Sequence, residues 1–171
     1  MTMGSLRARI AVLSGATLFA WVMILAADKV QELQARFDQE PDPVHKAKLL
    51  EKLGDAQFAE ARKAGHAGDY SAVGLLMEKY RDNVRIALDG LKKKQQDAEK
   101  HPEGYKQLQF HVDKALRELD QILVVAPGEY KPPLHLVRRD LVAMNDELLR
   151  MLFPRRPGEH TVKPPAAEKQ P

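Results

Sequence analysis

Apolar residues recur at three- and four-residue steps in four stretches of this chain, and nowhere do they alternate for long. That period marks helices with one buried face. In the first stretch, PDPVHKAKLLEKLGDAQFAEARKAGHAG, Leu50, Leu53, Phe58, Ala61 and Ala64 form the stripe. Asp42 suits the N-cap, where a carboxylate accepts from first-turn N–H groups, and Pro43 suits the first turn, which does not need its missing N–H. Gly65 and Gly68 bracket the end. A second helix is predicted from Asp69 to about Glu99, with Val73, Met77, Tyr80, Val84, Leu88 and Leu91 on one face. Its polar end, GLKKKQQDAEKHP, reads as projecting or frayed, with Gly90 and Pro102 as weak points. A third helix runs from Pro102 or Glu103 to Val125, turning Leu108, Val112, Leu116, Leu119 and Leu123 inward. The fourth starts near Pro132 and Pro133. Its Leu134, Val137, Leu141, Met144, Leu148 and Met151 follow a 3-4-3-4-3 spacing, which is a bundle seam. Asp28 to Phe37 fit a shorter leading helix.

Amphipathic helices joined by short turns pack most simply as antiparallel neighbours. The expected fold is therefore all-α, with antiparallel helical hairpins forming a four-helix-bundle-like domain over residues 28–153. A signal or anchor helix over 1–27 precedes it. The tail, PRRPGEHTVKPPAAEKQP over 154–171, holds five prolines and little to bury, and reads as disordered or extended.

The segment RARIAVLSGATLFAWVMILAADKV differs in kind from the rest. Arg7 and Arg9 precede an apolar run from Ile10 to Leu25, and charge resumes only at Asp28. A basic start, an apolar middle and small residues at the end are the parts of a secretory signal, and the arginines orient the remainder outward. With Ala26 and Ala27 the run approaches the roughly 20 residues that span a bilayer. Cleavage after Ala27 places Leu25 where a small residue is preferred. Two readings stay open: a cleaved signal peptide, or a retained anchor whose helix continues into Val30, Leu33 and Phe37. Both export the domain, as a periplasmic or secreted protein or as one anchored to the inner membrane.

Cysteine is absent, so neither a disulfide nor a lipid-modified cysteine is available and stability must come from a packed core. The net charge is +3, to which Arg7 and Arg9 contribute two, so the exported part is nearly balanced. That balance gives no argument for nucleic acid or another anionic partner. Lys92, Lys93 and Lys94 fan over about 200° of a helix instead of forming one stripe.

The residue inventory excludes several chemistries. After Ala27 the one serine is Ser71, beside the helix start at Asp69, and the one threonine is Thr161, in the tail. Neither suits a nucleophile held beside a base. No Glu is followed by His three residues later, and HExxH and CxxC are absent, so no metal centre is expected. The nearest thing to a site is His111 with Asp113, yet two-residue spacing puts them on different helix faces. Met77, Met144, Met151 and His111 make haem ligation in a small exported bundle conceivable, without an attachment motif. Asp140, Asp146 and Glu147 are expected to pair with Arg138, Arg139 and Arg150 or to face water. No catalytic, cofactor-binding or metal residue is therefore assigned, and no cofactor is expected.

GDY around Gly68 and GEY around Gly128 stand sixty residues apart, with Leu76 matching Leu136 and Leu88 matching Leu148. This pattern fits an internal duplication and equally fits common turn chemistry. The Gly-Asp-Tyr turn resembles that of a tetratricopeptide hairpin over these few residues only. LEKLGDAQFAEARKAGHAGDYSAVGLLMEKYRDNVRIALDGL with LVRRDLVAMNDELLRMLFP resembles uncharacterised exported α-helical proteins of bacteria. That resemblance implies an exported helical fold and no reaction. The expectation is a non-enzymatic envelope protein that binds an unknown envelope protein or itself, not nucleic acid, and a membrane only if the N-terminal segment is retained. The alternative is a periplasmic bundle carrying a small molecule, metal or haem. Leu75, Leu136, Leu149 and Phe153 are candidates for an apolar contact surface, with Phe153 and Pro154 also suited to staple and stop the last helix.

Overall fold

The structure, a computed structural model, describes residues 29–94 and 97–154. The expected signal or anchor segment, Thr161 and nearly all of the expected tail lie outside these residues. The described chain is helical, without strands: α1 over 29–39, α2 Pro43–His66, α3 Tyr70–Lys94, α4 Glu103–Val125 and α5 Lys131–Leu152, which is led in by a 3-10 turn, Gly128–Tyr130. These five helices pack against one another around one apolar core.

Local chemistry sets the helix ends. The Asp42 carboxylate accepts from the N–H groups of Val44 and His45, both at 2.9 Å, and Pro43 follows it. Lys94 pairs with the same carboxylate. That pair first, then the His45 bond, pulls the Asp42 pKa down to about 2. α2 ends in a Schellman motif: Gly68 N–H donates to Gly65 O at 3.0 Å and Asp69 N–H to Ala64 O at 2.9 Å. Gly68 has φ 79°, the left-handed conformation this motif requires, and open space around its Cα. Gly68→Ala is thus expected to lower stability by about 1 kcal/mol through backbone strain alone, read as an earlier urea midpoint. Asp69 then caps α3, its carboxylate accepting from Ala72 N–H at 3.0 Å.

Two expectations are corrected, and one question that the sequence left open is narrowed. α3 is described to Lys94 and does not reach Glu99, since the chain is no longer helical at Asp97; Asp97 organises a turn by accepting from Lys100 N–H, and Ala98 is buried instead of projecting. Gly128 does not repeat Gly68: it lacks a positive φ and opens a 3-10 turn into α5. α5 ends at Leu152 and Phe153 is 67% exposed, so Phe153 staples nothing.

Cross-helix contacts give the directions. Arg62 meets Glu118 at 2.6 Å and a Cβ on Gly104 would lie near Val44, so α2 and α4 run parallel. Lys92 meets Glu147 at 2.8 Å and Arg85 meets Asp140 at 3.5 Å, which makes α3 and α5 parallel. Arg138 with Asp120, and Gln109 with Asn145, run α5 antiparallel to α4. Tyr70 with Val125 and Tyr80 with His111 do the same for α3 and α4. The exposed ion pairs among these contribute about 0–1 kcal/mol each, so they set register more than stability. The short α1 lies along α2 and α3, burying Phe37 completely and bonding Gln34 to Asn83. The turns α2–α3 and α4–α5 share one end of the domain. The α1–α2 turn and the last turn of α5 lie at the other.

Candidate functional site

The densest polar chemistry is buried between α2, α3 and α4. His111 is only 4% exposed. It sits on the inward face of α4, between the apolar residues Leu108 and Val112. Its Nδ1 lies 2.8 Å from the Tyr80 hydroxyl and its Nε2 lies 3.3 Å from Asp55 Oδ1. Asp55 also accepts from Lys114 Nζ at 2.6 Å. A carboxylate only accepts, so the neutral ring carries its proton on Nε2 and its Nδ1 accepts from the Tyr80 O–H. The same hydroxyl lies within 3.3 Å of the His111 carbonyl. Phe58 closes the cluster, 4.8 Å from the Tyr80 ring and stacked at 11° on His111.

Electrostatics hold these groups in fixed states. Burial pushes the His111 pKa below its usual value, outweighing the Asp55 carboxylate that favours the charged form. Burial also pushes the Tyr80 phenol well above its usual range, and Asp55 adds to it. Burial acts to raise the Asp55 pKa, but its bonds from Lys114 and His111 prevail and lower it. The result is an ionised carboxylate, a neutral imidazole and a protonated phenol. Both imidazole nitrogens and the hydroxyl are engaged by protein, so the cluster joins three helices and presents no activated nucleophile.

A pH dependence follows. Above about pH 6.5, His111 is neutral whether folded or unfolded and its contribution is complete. Below that, the unfolded chain takes up a proton the folded chain refuses, so stability falls until the lowered folded pKa is passed. Urea midpoints measured from pH 7.5 to 5 are expected to decline, with a shallower decline in His111→Gln. Equal slopes would show that His111 does not carry it.

His111 and Asp113 lie on different faces of α4, as their spacing implies: Asp113 faces outward and pairs with Arg117. Met77 and Met144 are buried in the apolar core, and Met151 packs half-buried against it. Ser71 is exposed, and it is Asp69 that caps α3. Asp140 is shared by Arg81, Arg85 and Arg139; Glu147 meets Lys92, and Arg138 reaches Asp120. Arg150 donates to the Asp146 carbonyl. Among the described residues no three His, Asp or Glu side chains converge as a metal set.

Sequence reasoning missed Asp55 and Tyr80 as partners of His111. A signal was present: a Tyr on an apolar stripe brings a hydroxyl that burial obliges to find a partner. Leu75, Leu136, Leu149 and Phe153 are indeed exposed, but the most exposed large apolar side chains also include Phe110 at 70% and Val124 at 79%. Phe110 was legible too, since it lies about 200° around the helix from Leu108. A cavity of about 340 Å³ opens between α2, α3 and α4 near the shared turns, lined by Arg62, His66, Tyr70, Val73, Ile122 and Val125. Comparison with protein-family models, with curated proteins and with solved structures finds no match to this chain.

Proposed function

We propose that the protein is an exported four-helix-bundle-like protein of the cell envelope that works by binding another protein and not by catalysis. The observation that carries this reading is the contrast between interior and exterior. The polar groups buried with His111 are engaged with one another, whereas Phe110, Leu149 and Phe153 are exposed apolar residues on α4 and at the end of α5. An exposed aromatic ring on a rigid helix is a common anchor for a partner's groove, because its apolar area is lost to water at little entropic cost.

Photo-cross-linking in the producing cell tests the reading. A photoreactive side chain at Phe110 is expected to give a discrete adduct in the envelope fraction, while the same group at Lys48, on the outer face of α2, gives none. Equal labelling at both positions, or an adduct at neither, removes the binding surface. Intact mass tests the compartment: a soluble chain lacking Met1 to Ala27 is the free exported form, and a full-length chain in membranes is the anchored form. The cavity beside Arg62 and Tyr70 favours a second reading, a small-molecule carrier. Native mass spectrometry of the purified protein would show its ligand as added mass.

A further inference from the structure

We propose that, when the N-terminal segment is retained, the end of the domain bearing the α2–α3 and α4–α5 turns rests in the lipid headgroup layer and touches lipid through Leu75, Val124 and Val125. This inference rests on the anchored form of the reading above. Its geometric basis is the direction of α1. Val30 lines a groove with Leu75 and Leu76, while Gln34 bonds to Asn83 further along α3, so α1 begins beside the first turns of α3. Val124 and Val125 lie at the same end, where the Tyr70 hydroxyl donates to the Val125 carbonyl at 3.3 Å.

Tether length then leaves little freedom. Ala27 closes the apolar stretch and Lys29 is the first residue of α1, only two positions later. Two residues span roughly 7 Å at most, about the depth of one headgroup layer, roughly 5–7 Å. A segment held in the hydrocarbon up to Ala27 therefore holds this end of the domain at the lipid surface. What the end presents suits that place. Leu75, Val124 and Val125 are each more than half exposed, and the Tyr70 and Tyr130 rings stack with centroids 5.8 Å apart. Tyrosine is favoured where a membrane meets water.

Two alternatives fit less well. Laying α1 flat on the membrane would press Glu32, Arg36 and Asp38 into it, and these are exposed polar positions. Electrostatic attraction to anionic lipid has no basis either, since Arg62, Lys63 and Lys131 near this end are balanced by Asp69, Glu118 and Glu129. The contact is apolar and independent of lipid charge. Among the described residues no helix is long and apolar enough to cross a membrane, so the domain meets lipid at its surface.

The chain has no cysteine, so one introduced cysteine carries one label. Val124→Cys and, at the far end, Phe153→Cys alter exposed side chains and spare the core. Each full-length variant, labelled with an environment-sensitive fluorophore, is reconstituted into vesicles of pure phosphatidylcholine and floated. The label at 124 is expected to shift to the blue and to be quenched by lipids brominated near the headgroup. The label at 153 should do neither, and salt should change nothing. A chain that floats with its label at 124 as wet as that at 153 overturns the contact and leaves the anchor standing. A chain that does not float overturns the anchor and the contact together. A label at 124 shielded in the producing cell's membranes but not in pure lipid gives this end to a protein partner, and overturns the lipid assignment.

Discussion

Gly54→Ala is expected to destabilise the domain by about 2 kcal/mol, although alanine is the better helix former. A Cβ at this position would lie 2.3 Å from His111 Cε1 and 2.8 Å from Tyr80 Cε2, closer than atoms pack. The imidazole cannot swing aside, because Tyr80 holds one nitrogen and Asp55 the other. Either the bonds or the α2–α4 spacing must give. Overpacking of this kind costs about 1–3 kcal/mol and here falls at or beyond the upper end. The helix preference of alanine returns about 1 kcal/mol. Gly104→Ala is the internal control. Its Cβ would meet Leu91 Cδ2 at 2.5 Å, but that is the far end of a flexible side chain, so a near-neutral effect is expected. Urea unfolding of both variants decides the matter: a Gly54→Ala protein as stable as the wild type would mean that His111 is not seated against α2.

The largest loss is expected from Phe58→Ala, at about 3–5 kcal/mol. Phe58 is almost fully buried and its ring touches both Tyr80 and His111. Removing it deletes two ring contacts and leaves a cavity beside a polar pair that depends on being dry. An ordinary domain has only about 5–15 kcal/mol in hand, so thermal unfolding should move sharply downward. Hydrogen exchange should quicken first in α4 around His111. A fall in stability below about 1 kcal/mol would show that the cavity collapses at little cost and that the three rings are not mutually supporting.

Both predictions concern a cluster that resembles a reaction centre in composition but not in state. A catalytic tyrosine needs a lowered pKa or a free acceptor for its proton, and burial drives Tyr80 the other way. Aspartate, histidine and tyrosine meet here to tie α2, α3 and α4 together. The exposed apolar side chains lie elsewhere, on the outside of the molecule. There the far half carries Phe110, Leu149 and Phe153, and the turn end carries Leu75, Val124 and Val125.

Helical content and most helix ends were legible from residue order alone, because they arise from local chemistry. Asp42 caps α2, Gly68 closes it, and the stripe from Leu134 to Leu148 faces inward, each within a few residues of its cause. The limits of this legibility are equally local. Gly128 shares the pattern of Gly68 and adopts another conformation, since it opens a 3-10 turn into a helix instead of closing one. Only tertiary structure could decide the partners of His111. Asp113 is two residues away and turned outward, whereas Asp55 and Tyr80 are 56 and 31 residues distant and were brought to it by the packing of α2 and α3 against α4. Periodicity reports which way a side chain faces. What it faces depends on helix order, spacing and register, and these emerge only when the buried stripes meet.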